Sequence, residues 1–273
     1  MANNTFDYLH GFSTKEQTRL VLQARLLEQI IYQSVDYSES SNLLEVGSGV
    51  GAQTEILLRR FPNLKITGID LSKEQMSAAN SYLSQISYAQ NRYELKQMSA
   101  TEMEFESNSF DSAFLCWILE HIPNPIRALS EIRRILAPGS PVVITEVMNS
   151  SFFLEPYAAS VQQYWARFND LQYDLGGDPF VGAKLGNLLQ SVGFQQIQTE
   201  IKIAHFDNRF PEKRKRWIQF WKELLLSASD QLLEKNYVSL ELIEKTKEEL
   251  EKIGRDPNAV FFYAFVQARA VVY

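Results

Sequence analysis

The chain contains a single cysteine, Cys116, among its 273 residues. One thiol cannot build an internal disulfide framework, so the composition indicates a protein of a reducing compartment. Long apolar runs are also missing: the longest, such as Phe114–Leu119, are far shorter than the roughly 20 residues that cross a bilayer. Residues 1–17 contain no apolar stretch of the kind found in secretory signals. We therefore expect a cytoplasmic protein with no membrane span.

Positive charge is scarce as well. The sequence has 27 Lys and Arg against 33 Asp and Glu, which gives a formal net charge of −6. Such a chain lacks the broad basic surface of a protein that binds a nucleic-acid backbone, and so we expect no nucleic-acid partner. The 45% hydrophobic and 22% charged residues are ordinary for a globular protein. We expect a small-molecule substrate and a monomer or homodimer.

Short apolar runs alternate with longer amphipathic stretches between residues 42 and 147. This alternation is typical of βαβ units around a parallel sheet. After residue 148 the sequence becomes rich in helical patterns with aromatic residues, and two more strands are predicted at residues 194–203 and 258–268. We predict a mostly parallel sheet of seven strands. The predicted strands of the first part are residues 42–46, 65–70, 93–98, 110–116 and 141–147.

Helices are predicted between these strands and on both sides of them. An N-terminal helix, Ser13–Ile31, precedes the first strand. The predicted domains are an N-terminal helical segment over the cofactor mouth (1–41), a cofactor-binding core (42–147), and helical cap insertions with the last two core strands (148–273). Further helices are predicted at residues 52–61, 72–85, 125–136 and 152–168, at a stretch ending near residue 193, and at residues 211–227 and 230–253.

A glycine-rich loop joins the first strand to the next helix and reads Glu45-Val-Gly-Ser-Gly-Val-Gly-Ala52. Two cofactor classes fit this loop, because it also satisfies the G-x-G-x-x-A pattern of dinucleotide sites. A dinucleotide would place negative phosphates on the helix N-terminus. Glu45 instead suits a cationic ligand such as S-adenosylmethionine, which carries a sulfonium and an ammonium group. Asp70, at the end of the second strand, is placed to bind ribose in either case.

Three segments together resemble a class I S-adenosylmethionine-dependent methyltransferase: EVGSGVG, GID and FDSAFLCWILEHIPNPIRALSEIRRILAPGSPVVITE. The resemblance covers residues 43–146 well. The segment FSTKEQTRLVLQARLLE, together with GVGAQT, is similar to a small-molecule subgroup related to ubiquinone/menaquinone C-methyltransferases. The resemblance implies a Rossmann-like α/β fold with helices on both faces of a seven-stranded sheet. A helical cap would cover the C-terminal edge of the strands.

The resemblance also implies a role for particular residues. Glu45, Gly47, Gly49 and Gly51 would hold the methionine part of the cofactor, and Gln53 and Thr54 would lie near its carboxylate. Asp70 would bind ribose, with Leu71 beside the adenine. Ala100 and Thr101 would frame the adenine, while Cys116 and Trp117 would lie under the methionine.

The implied reaction is transfer of a methyl group to an O, N, S or C atom of a small, apolar or aromatic acceptor. Glu120 and His121 follow the fourth strand and are candidates for a general base, although a local packing role is the alternative. The substrate candidates are Phe12, Tyr157 and Trp165. No metal site is predicted, because the histidines lack ligand spacing. An NAD-dependent oxidoreductase and a non-catalytic binding protein of the same fold remain open.

Overall fold

A computed structural model describes residues 9–11 and 13–273, and within them eight strands form one sheet. The strands are β1 (Asn42–Val46), β2 (Lys65–Asp70), β3 (Tyr93–Gln97), β4 (Ser112–Cys116), β5 (Pro141–Val147), β6 (Phe153–Glu155), β7 (Gln195–Phe206) and β8 (Val260–Val271). The helices are α1 (Thr14–Ile31), α2 (Ala52–Arg60), α3 (Lys73–Leu83), α4 (Pro125–Ile135), α5 (Ala159–Asp174), α6 (Leu185–Ser191), α7 (Pro211–Ser227), α8 (Ser229–Glu234) and α9 (Leu240–Arg255).

Local sequence signals define where several helices begin. The Ser13 side chain caps α1 by accepting the Glu16 backbone N–H at 3.2 Å. Asn124 caps α4 in the same way, and Pro125 occupies the first helical position, where a missing N–H costs nothing. Ser72 and Ser239 cap α3 and α9. Such caps satisfy backbone donors that have no partner inside the helix.

The first five strands pair in parallel in the order β3-β2-β1-β4-β5. Strand β8 runs antiparallel to its neighbours: β5 and β6 pair with one of its edges and β7 pairs with the other. The carboxyl ends of all five parallel strands therefore meet at one edge of the sheet, where ligands bind in open α/β folds.

Apolar side chains of the strands alternate between the two faces of the sheet and form two cores. Leu43 and Phe114 belong to the core that packs against α1, α2, α5, α7 and α9. Leu44 and Leu115 belong to the opposite core, which α4 and α6 cover. This arrangement confirms the predicted mostly parallel sheet with helices on both faces. No helix within residues 9–11 and 13–273 is long and apolar enough to cross a membrane.

Two predicted elements differ from the structure. Residues 152–168 do not form one helix: β6 pairs with β8 at residues 153–155, and α5 begins only at Ala159. Pro156 disfavours helical backbone at the preceding Glu155, and the long strand β8 offers its edge to this segment. The predicted helix 230–253 is also divided, because Asn236 has left-handed backbone (φ 62°) between α8 and α9.

Candidate cofactor and substrate site

A cavity of about 490 Å³ lies at the carboxyl edge of the sheet. The ends of β1, β2, β3, β4 and β5 contribute to its lining. Residues of α1, α2, α3, α5 and α7 and Tyr263 of β8 also line it. This volume is within the usual range for a pocket that binds a small molecule. The cavity therefore combines residues that lie far apart in the chain.

The glycine loop forms one part of this lining. Gly47, Gly49 and Gly51 all have left-handed backbone, with φ of 75°, 50° and 76°. At Gly47 a side chain would also collide with its surroundings, since a Cβ atom would lie 2.7 Å from Cγ1 of Ile118. The backbone N–H groups of Gly47 and Ser48 both donate to the Ile69 carbonyl oxygen, at 2.8 and 3.0 Å. The loop is thus fixed to the end of β2.

Asp70 stabilises the loop from the neighbouring strand. Its Oδ2 accepts the Gly49 N–H and its Oδ1 accepts the Ser72 N–H, each at 2.9 Å. Burial raises the pKa of the Asp70 carboxyl, and these backbone hydrogen bonds oppose that rise. The side chain also lines the cavity. An acid at this position can therefore bind ligand hydroxyl groups while it holds the loop.

Glu45 and Thr54 do not reach the cavity surface. Only 2% of Glu45 is exposed, and its Oε2 accepts the Thr54 hydroxyl at 2.6 Å. Burial raises the pKa of the Glu45 carboxyl to about 8, with a further rise from the negative charge of Asp70 and a lowering by the Thr54 hydrogen bond. Gly51 is also absent from the lining, since it faces Leu83 and Ala79 of α3. These three residues therefore do not line the cavity, and their predicted part in binding the cofactor stays a prediction.

Gln53 and Cys116 both line the cavity and are close to each other. Gln53 accepts the Tyr32 hydroxyl at 2.7 Å, and its amide nitrogen lies 3.6 Å from the Cys116 sulfur. Burial raises the pKa of the Cys116 thiol well above its ordinary value. A protonated thiol is a poor nucleophile, so Cys116 contributes packing and shape.

Trp117 has strained backbone, with φ of 55°, which is unusual for a large residue. Its indole N–H is buried and has no hydrogen-bond partner among the described residues. The Ser48 hydroxyl and the Gln75 side-chain oxygen share this property, and all three residues line the cavity. Buried polar atoms without partners are rare in folded proteins. These atoms fit a polar cofactor that supplies the missing hydrogen bonds.

The remaining predicted adenine contacts reach the same cavity. Leu71, Ala100 and Thr101 all line it, and Leu71 keeps half of its surface exposed. The hydroxyl groups of Thr101 and Ser99 are 2.9 Å apart. The structure therefore brings residues at the ends of β2 and β3 together around one space.

Glu120 and His121 lie in the short turn after β4, and both line the cavity. Glu120 is nearly buried and accepts a hydrogen bond from the Gln172 amide at 2.7 Å, while its other oxygen is 3.7 Å from Nε2 of His121. Glu146 of β5 accepts the backbone N–H groups of Ile118 and Leu119 at 3.0 and 2.8 Å and so fixes this turn. These contacts hold Glu120 and His121 in place beside the cavity.

Aromatic side chains line the other part of the cavity. Trp165 and Phe168 of α5 stack on each other with ring centroids 5.1 Å apart, and Trp165 contacts Trp221 of α7 at 5.2 Å. Trp165 thus reaches the cavity as predicted. Tyr157 does not: it precedes α5, outside the observed helix although inside the predicted one (152–168), and it is 73% exposed. Phe12 lies outside the described residues.

Several lining residues were not predicted from the sequence. Arg19 and Gln23 of α1 line the cavity, and Arg19 is fixed by two short hydrogen bonds to Glu16 at 2.6 and 2.7 Å. The sequence predicts a helix at this position but does not show which of its residues face the end of the sheet. His10 and Trp217 also line the cavity. Within the described part of the chain, no group of three His, Cys, Asp or Glu side chains is arranged to hold a metal.

Comparisons with known proteins find a matching domain family and several relatives. Residues 44–144 match the family described as "Methyltransferase domain". The chain is 30% identical to the ubiquinone/menaquinone biosynthesis C-methyltransferase UbiE of Geotalea daltonii over 121 residues, which is 44% of this chain and 51% of that protein. It is 28% identical to the O-methyltransferase resE of Aspergillus sclerotiorum over 192 residues, 69% of this chain and 68% of that protein. The chain spans about half the length of the bacterial relatives it matches.

One solved structure aligns with nearly the whole of this chain. It is the Haemonchus contortus phosphoethanolamine N-methyltransferase 2 in complex with phosphomonomethylethanolamine and S-adenosylhomocysteine, with a TM-score of 0.59 and 21% identity. The alignment covers 99% of this chain and 59% of that one. Residues 44–144 therefore match a methyltransferase domain, and the chain shares its fold with this solved structure.

Proposed function

We propose that this protein transfers a methyl group from S-adenosylmethionine to a small, apolar or aromatic acceptor. The observation that carries this proposal is the division of one cavity into two chemically different parts. Glycine backbone, the Asp70 carboxylate and buried polar atoms without partners line one part, and stacked aromatic rings line the other. A polar cofactor and an apolar acceptor would then lie side by side.

The polar part offers a group for each portion of the cofactor. Asp70 is positioned to accept the ribose hydroxyls, and Leu71, Ala100 and Thr101 to contain the adenine. Gln53, Cys116 and Trp117 surround the region next to the glycine loop, where the methionine portion would lie. Glu45 lies behind the loop and acts on this cation through its charge and not through direct contact.

The cofactor supplies an activated methyl group, and so the chain mainly needs to orient the acceptor and exclude water. The aromatic walls of α5 and α7 do both, because they are rigid, apolar and packed on each other. Glu120 and His121 remain candidates for proton transfer beside this space. If His121 has that role, His121→Asn will lower turnover while leaving S-adenosylhomocysteine binding intact.

The alternative of a dinucleotide cofactor is disfavoured by the hydrogen bonds of the loop. Pyrophosphate sites present several backbone N–H groups to the ligand. Here the N–H groups of Gly47, Ser48, Gly49 and Gly51 are donated to Ile69, Asp70 and Ser48 within the protein. The retained glycine loop with Asp70 beside it in the cavity lining likewise argues against a purely non-catalytic protein.

The relatives methylate different kinds of atom, by their names. UbiE is named a C-methyltransferase and resE an O-methyltransferase, so both carbon and oxygen are acceptor atoms among the relatives. We expect the protein to act in the cytoplasm and without nucleic acid, as its composition indicates, and to be a monomer or homodimer. Size-exclusion chromatography with light scattering will determine the oligomeric state.

Titration calorimetry tests the proposal. We expect S-adenosylmethionine and S-adenosylhomocysteine to bind with one site per chain, and NADH not to bind. Asp70→Ala will lower the affinity for both adenosyl compounds by at least about tenfold, since it removes a charged hydrogen-bond acceptor. Glu94→Ala, at an exposed position of β3, is the matched control and will bind like the natural protein. Binding of NADH in place of the two adenosyl compounds would overturn the proposal.

A further inference from the structure

Glu120 lies where the polar and the aromatic parts of the cavity meet. It follows Trp117 of the polar part in the turn after β4. Its Oε2 accepts the side-chain amide of Gln172 at 2.7 Å, and Gln172 lies one helical turn beyond Phe168 on α5. Because Phe168 belongs to the aromatic wall, this hydrogen bond joins the turn to that wall. The Glu120 carboxyl group therefore lies beside the place where cofactor and acceptor would meet.

The charge of Glu120 acts on both parts of the cavity. Burial is the main cause that raises the pKa of the Cys116 thiol and of the Tyr263 hydroxyl well above their ordinary values, and the negative charge of Glu120 raises both pKa values further. Cys116 lines the polar part, and Tyr263 contacts Trp221 in the aromatic part with ring centroids 4.7 Å apart. Interactions between charges weaken with distance, so Glu120 is close to both parts.

Glu120 has no lysine or arginine partner within the described part of the chain, and its Oε1 lies 3.7 Å from Nε2 of His121. Arg19, which also lines the cavity, is paired with Glu16 at 2.6 Å. Burial, and then the negative charge of Glu120, raise the pKa of Glu146 to about 8, so that Glu146 holds the proton of this pair at neutral pH. The negative charge therefore remains on Glu120, which lines the cavity.

Methyl transfer places different electrostatic demands on different acceptor atoms. A positive charge leaves the sulfur of the donor, and an amine nitrogen that attacks as a neutral group takes this charge over. A hydroxyl or thiol group becomes a good nucleophile by losing its proton and then carries a negative charge. A carboxylate beside the acceptor stabilises the charge on the amine and repels the anion. Since aromatic rings such as Trp165 and Trp221 also attract cations, this part of the cavity favours an amine.

We propose that the acceptor is an amine on an apolar or aromatic frame, and that Glu120 accepts a hydrogen bond from its nitrogen. This inference rests on the proposed function. The amine reacts in its neutral form, and an amine that is protonated in solution first releases that proton to water. The nitrogen lone pair forms the bond to the methyl carbon, and the carbon–sulfur bond breaks with its electrons on sulfur, which yields S-adenosylhomocysteine. The nitrogen keeps its hydrogens and becomes an ammonium ion, which Glu120 stabilises.

The binding of two compounds with the same frame tests this inference. Phenethylamine is a cation at neutral pH, whereas phenethyl alcohol carries a neutral hydroxyl group in the same place. We expect protein saturated with S-adenosylhomocysteine to bind the amine at least about tenfold more tightly in calorimetry, because hydrogen bonds between charged groups are the stronger ones. Glu120→Gln will lose this preference, since glutamine keeps the shape and can still accept the Gln172 amide without the charge. Glu94→Gln, at an exposed position of β3, is the matched control and will keep the preference.

Binding of S-adenosylhomocysteine separates this inference from the proposed function. We expect the natural protein and both variants to bind it equally, which will also show that the variants are folded. If the natural protein fails to bind it, the proposed function itself is wrong. If binding is normal, the inference is overturned when the natural protein binds neither compound or both equally, and this result does not depend on the folding of Glu120→Gln. A preference for the amine that Glu120→Gln retains would overturn it as well.

Discussion

Glu45→Gln tests how the buried carboxyl behind the glycine loop contributes to cofactor binding. Glutamine has nearly the same shape as a protonated glutamate, and its side-chain oxygen can still accept the Thr54 hydroxyl. The substitution therefore removes only the ability of residue 45 to become negatively charged. We expect the variant to fold normally and to bind S-adenosylmethionine less tightly.

The size of the effect follows from the pKa of Glu45. With a pKa of about 8, roughly nine in ten of these carboxyls are protonated at pH 7 in the unliganded protein. A bound cation favours the charged form, so binding will release up to about 0.9 proton at pH 7. The affinity of the natural protein, relative to that of Glu45→Gln, will then rise by up to about ninefold from pH 6 to pH 7 and by up to about fivefold from pH 7 to pH 8.

Calorimetry in two buffers of different ionisation enthalpy measures this proton release directly. The ammonium group of the cofactor also titrates in this range. The ammonium group contributes equally to proton release in both proteins, so any difference in proton release between them is due to residue 45. Equal proton release by the natural protein and Glu45→Gln, with parallel pH profiles, would refute the role we assign to this carboxyl.

Two further predictions concern stability. The pKa of Glu45 is higher in the folded chain (about 8) than its ordinary value of 4.5, so the unliganded protein will lose stability progressively as the pH rises from about 4.5 through 8. Urea unfolding should show a flatter profile for Glu45→Gln, and identical profiles would contradict this. Gly49→Ala will cost about 1 kcal/mol of unfolding free energy, from its left-handed backbone alone, because its Cβ would meet no described atom within 4 Å. Gly47→Ala will cost about 1–3 kcal/mol more, since its Cβ overlaps a neighbouring side chain; equal losses would show that the overlap is relieved.

The local part of the site could be predicted from the sequence. The glycine loop, Asp70 and the turn with Glu120 all follow strands whose apolar pattern is clear, and parallel strands bring their ends to one edge. The burial of individual side chains could not be inferred in the same way. Glu45 is close in sequence to the glycine loop that lines the cavity, but its side chain is buried inside the protein. The packing around β1 determines this orientation.

The acceptor side of the site depends on contacts between distant segments. His10 and Ser227 are 217 residues apart, and no periodicity in either segment indicates that they meet. The helix predicted at residues 152–168 would have placed Tyr157 and Trp165 on one element, whereas pairing with β8 converts residues 153–155 to strand. Long-range pairing thus overrode a local helical pattern.

A crystal structure with S-adenosylhomocysteine bound is the most direct test of the central claim, which is that this cavity holds the methyl donor over the glycine loop. The account predicts ribose hydroxyls within hydrogen-bond distance of the Asp70 carboxylate and a sulfur atom facing the aromatic walls. An empty cavity in such crystals, or a dinucleotide with its pyrophosphate on the loop, would contradict it.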